Sequence, residues 1–95
     1  MTVLYILYSK KFDKFYIGQT NNLAARLDDH NTSDKSTYTS KYRPWELICT
    51  LEFNSRGLAM KAEKYLKKKP RSYIKRVIEE EELRKYIIEK YSSAG

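Results

Sequence analysis

One cysteine in 95 residues rules out an internal disulfide framework and any zinc site built on several cysteines. Cys49 falls in an apolar stretch, where its simplest role is a small buried hydrophobe in a strand. Long apolar runs are missing too: none approaches the roughly 20 residues that a membrane-spanning helix needs. The N-terminus lacks a signal-peptide pattern, since Val3–Tyr8 is too short and Lys10 and Lys11 follow it instead of preceding it. These absences lead to the expectation of a soluble, cytoplasmic protein with no membrane partner. No internal repeat or linker interrupts the chain, and its length leaves room for one modest core. A single domain over residues 1–95 is therefore expected, with a C-terminal helical extension at 71–92.

What is present is aromatic and basic. Nine tyrosines and 41% apolar residues are too many for a disordered tail. The net charge is +7, and it is concentrated. Lys61, Lys64, Lys67, Lys68, Lys69, Arg71, Lys75 and Arg76 face only Glu63 in their stretch, while the rest of the chain balances, eleven basic against eleven acidic. A cluster of this kind reads as a polyanion-binding surface, and its ordinary alternative is a solvated helix face.

Val3–Tyr8 is apolar throughout and rich in β-branched and aromatic residues, the pattern of a central strand buried on both faces. Phe15–Ile17 resumes as its antiparallel partner after a short polar turn. Gly18 follows, where either a close backbone approach or a positive φ is required. Asn21 or Asn22 caps a helix with Leu23, Ala24 and Leu27 inward, ending at Asp28–His30. Residues 31–41 read as a mobile loop. Trp45–Phe53 is a third strand with Trp45 as a core residue at its start. Asn54 or Ser55 caps a second helix over 56–69, with Leu58, Ala59, Ala62 and Leu66 inward and Glu63 at the border of that face. Pro70 interrupts. The remainder is either one long helix or two helices meeting near the acidic run 79–82. The order β-β-α-β-α-α predicts an α+β fold, a three-stranded antiparallel sheet flanked by helices.

The stretch Phe15–Asn31 carries the chemistry. Arg26 and His30 are four apart, so a helix points both from one face. A permanently charged donor beside a titratable imidazole, near the strand-end phenol of Tyr16, suits work on a phosphate. Taken singly, these residues have ordinary roles: packing for Tyr5 and Tyr16, a solvated helix position for Arg26, a surface histidine for His30, and an i,i+4 ion-pair partner for Glu63.

Taken together, Tyr5, Tyr16-Ile17-Gly18, Arg26, His30 and Glu63 resemble the GIY-YIG nuclease superfamily over residues 2 to about 75. The chain is most similar to small single-domain bacterial members, themselves similar to the N-terminal nuclease domain of the excision-repair endonuclease. Tyr16–Leu23, Arg26-Leu27, His30-Asn31 and Pro44–Leu47 carry that closer likeness. The resemblance implies a divalent-metal-dependent endonuclease that hydrolyses phosphodiester bonds by in-line attack of water, one with a place in repair or in cutting foreign DNA. By the same resemblance Tyr5, Tyr16, Arg26 and His30 are catalytic, and Glu63 holds one Mg²⁺ or Mn²⁺. The preferred base is Tyr5, with Tyr16 orienting the water or the phosphate. His30 relays the proton or binds phosphate, and Arg26 donates to the non-bridging oxygens.

Two departures stand out: Leu4 occupies the place of the first motif's glycine, and Gln19 a place where some members have lysine. A further polar residue that some members carry after the glutamate helix has no counterpart that can be placed here. The eight basic residues from Lys61 to Arg76 would follow the phosphates of nucleic acid, DNA ahead of RNA, with low sequence specificity and a monomeric protein. Tyr38, Tyr42 and Trp45 offer base stacking as a lesser option. The alternatives are a nucleic-acid-binding module of the same fold with little catalysis, or a protein whose basic cluster meets an acidic partner.

Overall fold

The sheet is ordered β2-β1-β3, with both neighbours antiparallel to the central strand. The computed structural model describes residues 1–32 and 38–92. Its elements are β1 (Thr2–Ser9), β2 (Lys14–Thr20), α1 (Leu23–Thr32), α2 (Tyr38–Lys41), β3 (Glu46–Phe53), α3 (Arg56–Lys67), α4 (Arg71–Glu79) and α5 (Glu81–Lys90). The α+β architecture follows the expected order, with one short helix added.

β1 is central because both of its faces are apolar. Leu4 and Ile6 join the main core, with Ile17, Leu51, Phe53 and the inward residues of α3, α4 and α5. Tyr5 and Leu7 alternate to the opposite face and form a smaller core with Trp45, against Leu23 and Leu27 of α1. An irregularity in the β1–β3 ladder pairs Ile6 with Cys49 but Leu7 with Leu47. Ile48 is the extra residue of this bulge, and Ile48 and Cys49 accordingly both pack toward the main core. Cys49 is half-buried, and burial pushes its thiol pKa up.

The caps fall at the anticipated positions. Asn22 Oδ1 accepts from Ala25 N at 3.2 Å, and Ser55 Oγ accepts from Leu58 N at 3.2 Å. Ala59, Ala62 and Leu66 are fully buried on α3. Ala24, expected inward, is exposed, because α1 lies at the rim of the small core and only the row through Leu23, Leu27 and His30 meets it. The acidic run divides the C-terminal segment into two helices: Glu80 is extended (φ −109°, ψ 108°), and Arg84 Nη1 donates to the carbonyls of Val77 and Ile78, both at 2.8 Å. Those two bonds satisfy carbonyls that the end of α4 leaves without helical partners.

The expected mobile loop at 31–41 is different where it is described. Asn31 and Thr32 continue α1, and Tyr38–Lys41 form one helical turn; residues 33–37 lie outside the described residues. That turn is held by aromatic packing: Tyr38 lies 6.0 Å from the Trp45 ring and 6.4 Å from the Tyr16 ring, and Trp45 Nε1 donates to the Thr39 carbonyl at 2.8 Å. At 3% exposure Trp45 is a core residue and is closed to base stacking, whereas Tyr38 is 44% exposed.

Candidate active site

The strand pairing explains how the tyrosines meet. Tyr5 sits opposite Gly18, and Leu7 opposite Tyr16, so both phenols rise from the face that α1 covers. Their ring centroids are 6.3 Å apart. Gly18 has no positive φ, so its lack of a side chain serves close approach. A Cβ there would stand 2.5 Å from Tyr5 Oη and 2.7 Å from its Cζ. Tyr5 is 1% exposed and cannot simply swing aside. Gly18→Ala is therefore expected to destabilise the fold by about 1–3 kcal/mol through overpacking. That corresponds to roughly 4–8 °C in Tm for each kcal/mol in a domain of this size. A thermal melt of the variant that matches wild type would refute the close approach.

His30 ends the same row of α1 and is buried, not the surface histidine of its ordinary role. Its Nε2 hydrogen-bonds Tyr5 Oη at 2.8 Å, and its ring lies 4.7 Å from that of Tyr16. The ring is anchored through its neighbour. Asn31 Nδ2 donates to the Trp45 carbonyl at 3.1 Å and Asn31 Oδ1 accepts from Trp45 N at 2.7 Å, tying the end of α1 to the start of β3. Asn31 is a positioning residue with no sequence signal of its own beyond its place beside His30.

The electrostatics are consistent with this geometry. Burial pushes the Tyr5 phenol up to about 12, against a lowering by the nearby Arg26 guanidinium and a raising by the charges of Tyr16 and Glu63. Arg26, although exposed, reaches the same hydroxyl, and that interaction holds its own pKa above the ordinary value. Burial, then the Arg26 charge, lowers the His30 pKa, so the imidazole is neutral at pH 7. A neutral ring with its proton on Nδ1 leaves Nε2 free to accept from Tyr5.

Glu63 comes from α3, which packs on the other face, and acts on Tyr5 through its charge. Its Oε2 accepts from Lys67 Nζ at 2.6 Å, so its ordinary role as an i,i+4 ion-pair partner is also realised. Among the described residues no three His, Cys, Asp or Glu side chains cluster to hold a metal. Glu63 alone would be the carboxylate ligand. One carboxylate, with water and substrate phosphate completing the shell, fits Mg²⁺ or Mn²⁺.

The basic cluster is not one face. At about 100° per residue, Lys61, Lys64 and Lys68 share the outer face of α3, while Lys67 lies with Glu63 on the stripe beside the core. Lys69 covers the rings of Tyr65 and Tyr73. Arg71 pairs with Asp13 of the β1–β2 turn and covers the Phe15 ring at 4.7 Å. Arg76 pairs with Glu80 at 3.0 Å, and Lys75 is exposed. Arg56, which lies outside the basic run and carries no motif, lines a cavity of about 260 Å³ with Gln19, Thr20, Asn21 and Arg26.

Comparison with known proteins gives a consistent picture. The UPF0213 protein YazA of Bacillus subtilis is 40% identical over 70 residues, covering 74% of this chain and 71% of that protein. The structure-specific endonuclease subunit slx1 of Pyrenophora tritici-repentis is 44% identical over 64 residues, 62% of this chain but only 18% of that longer protein. The solution NMR structure of a UPF0213 protein from Bacillus halodurans superposes with a TM-score of 0.55 at 27% identity, covering 85% of this chain and 86% of that one. The model of the GIY-YIG catalytic domain matches residues 1–77, a span that takes in Tyr5, Tyr16, Arg26, His30 and Glu63 alike. By that match the chain belongs to the GIY-YIG family, and the convergence on the Tyr5 hydroxyl lies inside its catalytic domain.

Proposed function

We propose that this protein is a divalent-metal-dependent endonuclease, a phosphodiester hydrolase acting on DNA with low sequence specificity. The observation that carries the reading is the Tyr5 hydroxyl, bonded to neutral His30 and approached by Arg26, within the matched catalytic domain. A phenol held near 12 is a poor base alone, but His30 Nε2 gives it somewhere to put its proton. A water attacks phosphorus as its proton passes to Tyr5 Oη and the Tyr5 proton passes to His30. The bond to the 3′ oxygen breaks, leaving a 5′-phosphate and a 3′-hydroxyl protonated from solvent. Arg26 donates to the non-bridging oxygens, where its planar fork fits, and Tyr16 orients the water. A divalent ion held by Glu63 supplies, when bound, neutralisation of charge on the phosphate and the leaving oxygen. Releasing Lys67 from Glu63 costs little, since an i,i+4 pair of this kind is worth roughly 0.3–0.5 kcal/mol.

Lys61, Lys64, Lys68 and Lys75 attract flanking phosphates, with Lys67, Lys69, Arg71 and Arg76 available to do so only by leaving their present partners. That makes binding salt-dependent and largely indifferent to sequence. A monomer in the cytoplasm, serving repair or the removal of foreign DNA, is the setting that suits these features. Among the described residues no helix is long and apolar enough to cross a membrane. The test is to incubate labelled DNA and RNA of several shapes with Mg²⁺ or Mn²⁺. Cutting that chelation stops is expected; salt-dependent binding without cutting would leave only a binding module.

The pH profile separates the relay from a free phenolate. Because His30 must be neutral to accept, kcat/KM should fall in acid through an apparent pKa below the ordinary 6.5 and stay flat from about pH 7 to 9. A phenolate base near 12 would instead make the rate climb tenfold per pH unit across that range.

A further inference from the structure

We infer that the cavity between the end of β2, α1 and the first turn of α3 is a second phosphate subsite, which seats the phosphate adjacent to the one being cut. The inference rests on the nuclease reading and extends it to Arg56. Two guanidinium groups, Arg26 and Arg56, line a cavity of about 260 Å³ whose remaining walls are the polar residues Gln19, Thr20 and Asn21. Among the described residues, no carboxylate and no apolar side chain lines it. A polar, doubly cationic recess of that size matches an anion carried on an extended backbone, not an apolar ligand.

Its position fits a neighbouring phosphate. Arg26 belongs both to this recess and to the group around the Tyr5 hydroxyl, so the two sites share a wall. Along α3, Arg56, Met60, Glu63 and Lys67 fall at i, i+4, i+7 and i+11, one continuous stripe at helical spacing. The stripe runs from the recess to the carboxylate that would hold the metal. A rise of 1.5 Å per residue puts Arg56 and Glu63 about 10 Å apart along the helix axis, so the recess and the carboxylate lie on one side of α3 within two helical turns. The walls are fixed: Thr20 Oγ1 accepts from Asn22 N at 3.0 Å, and Thr2 Oγ1 donates to Asn21 Oδ1 at 2.6 Å. Arg56 is thus a binding residue that holds the strand in register while Arg26 serves the reacting phosphate.

The test is anisotropy of a labelled single-stranded and a labelled duplex oligonucleotide, with the full chain and with divalent ions chelated so that nothing is cut. Wild type, Arg56→Gln, Arg56→Lys and, as a control for net charge, Lys10→Gln are titrated over a range of salt. Arg56→Gln should weaken binding about 3- to 10-fold at low salt. It should also flatten the plot of log K against log salt by about 0.7 on the single strand and 0.9 on the duplex, the change for one fewer phosphate neutralised. Arg56→Lys should restore the slope, and Lys10→Gln should leave it unchanged. An unchanged slope for Arg56→Gln overturns the subsite, whatever the parallel cleavage assay with metal reports about the nuclease. Equal flattening by Lys10→Gln overturns it too, because net charge alone then accounts for the change. Absence of salt-dependent binding by wild type overturns the subsite as well, and wild-type cutting then still decides the nuclease reading by itself.

Discussion

Glu63→Gln is expected to cut metal-dependent cleavage by at least 10²- to 10³-fold while leaving the fold almost untouched. The substitution keeps the size of the side chain and removes the charge that a hard cation requires. Lewis-acid stabilisation of a phosphoryl transition state is worth several kcal/mol, and each 1.36 kcal/mol is tenfold in rate. The structural loss is small by comparison. The only ion pair Glu63 makes among the described residues is with Lys67, an i,i+4 pair whose lysine side chain is 52% exposed. Such a pair contributes roughly 0.3–0.5 kcal/mol, or about 1–4 °C of Tm. Cleavage rate and thermal melt measured on one preparation separate the two roles. Full cleavage activity in the glutamine variant would exclude Glu63 as the metal ligand. A melt lowered by more than about 10 °C would assign it to the scaffold.

Tyr5→Phe is expected to lose about 10²- to 10⁴-fold in kcat, the range that a positioned acid–base group contributes. Here a stability cost accompanies the loss. The hydroxyl is hydrogen-bonded to His30 Nε2 in a buried setting, and a buried acceptor left without its bond costs about 1–3 kcal/mol. The phenylalanine ring otherwise fills the same space between Gly18, Tyr16 and His30. The discriminating measurement is the pH profile of whatever activity survives. If Tyr5 passes a proton to His30, the acid limb that belongs to His30 disappears with the hydroxyl. A variant that keeps both wild-type rate and acid limb would transfer the role of base to Tyr16.

Much of this molecule was legible in the chain because its signals are local. An apolar strand such as β1 must lie between two layers, and it does. Asn22 and Ser55 cap their helices because a side-chain oxygen three residues ahead of an amide is a matter of local geometry. Arg26 and His30 share a row of α1 by helical spacing alone, and both act on Tyr5. The short α2 left no trace in the pattern because four residues carry no periodicity; packing of Tyr38 against Trp45 and Tyr16 holds it.

The cluster of basic residues shows the limit of reading charge along a chain. Proximity in sequence grouped eight side chains, but helical rotation and neighbouring elements sort them differently. Arg71 is drawn to Asp13, 58 residues away, where it fastens α4 to the β1–β2 turn, and Lys67 is drawn to Glu63. Arg56, which stands outside the run, is the cation that joins Arg26 at the recess.

By itself, the sequence determined the three strands, α1 and α3 with most of their buried faces, the caps to within a residue and the family, because each depends on residues close together or on a motif read in order. Only the tertiary structure decided that Gly18 is bare to admit the Tyr5 ring, since that depends on the register of β1 against β2. It likewise decided that Tyr5 and His30, 25 residues apart, meet at hydrogen-bonding distance. Contacts between separate elements are fixed by strand register and by the way helices seat on a sheet, which no local pattern encodes. The stretch from Phe15 to Asn31 supplies Tyr16, Arg26 and His30, and the fold supplies the buried phenol on which they converge.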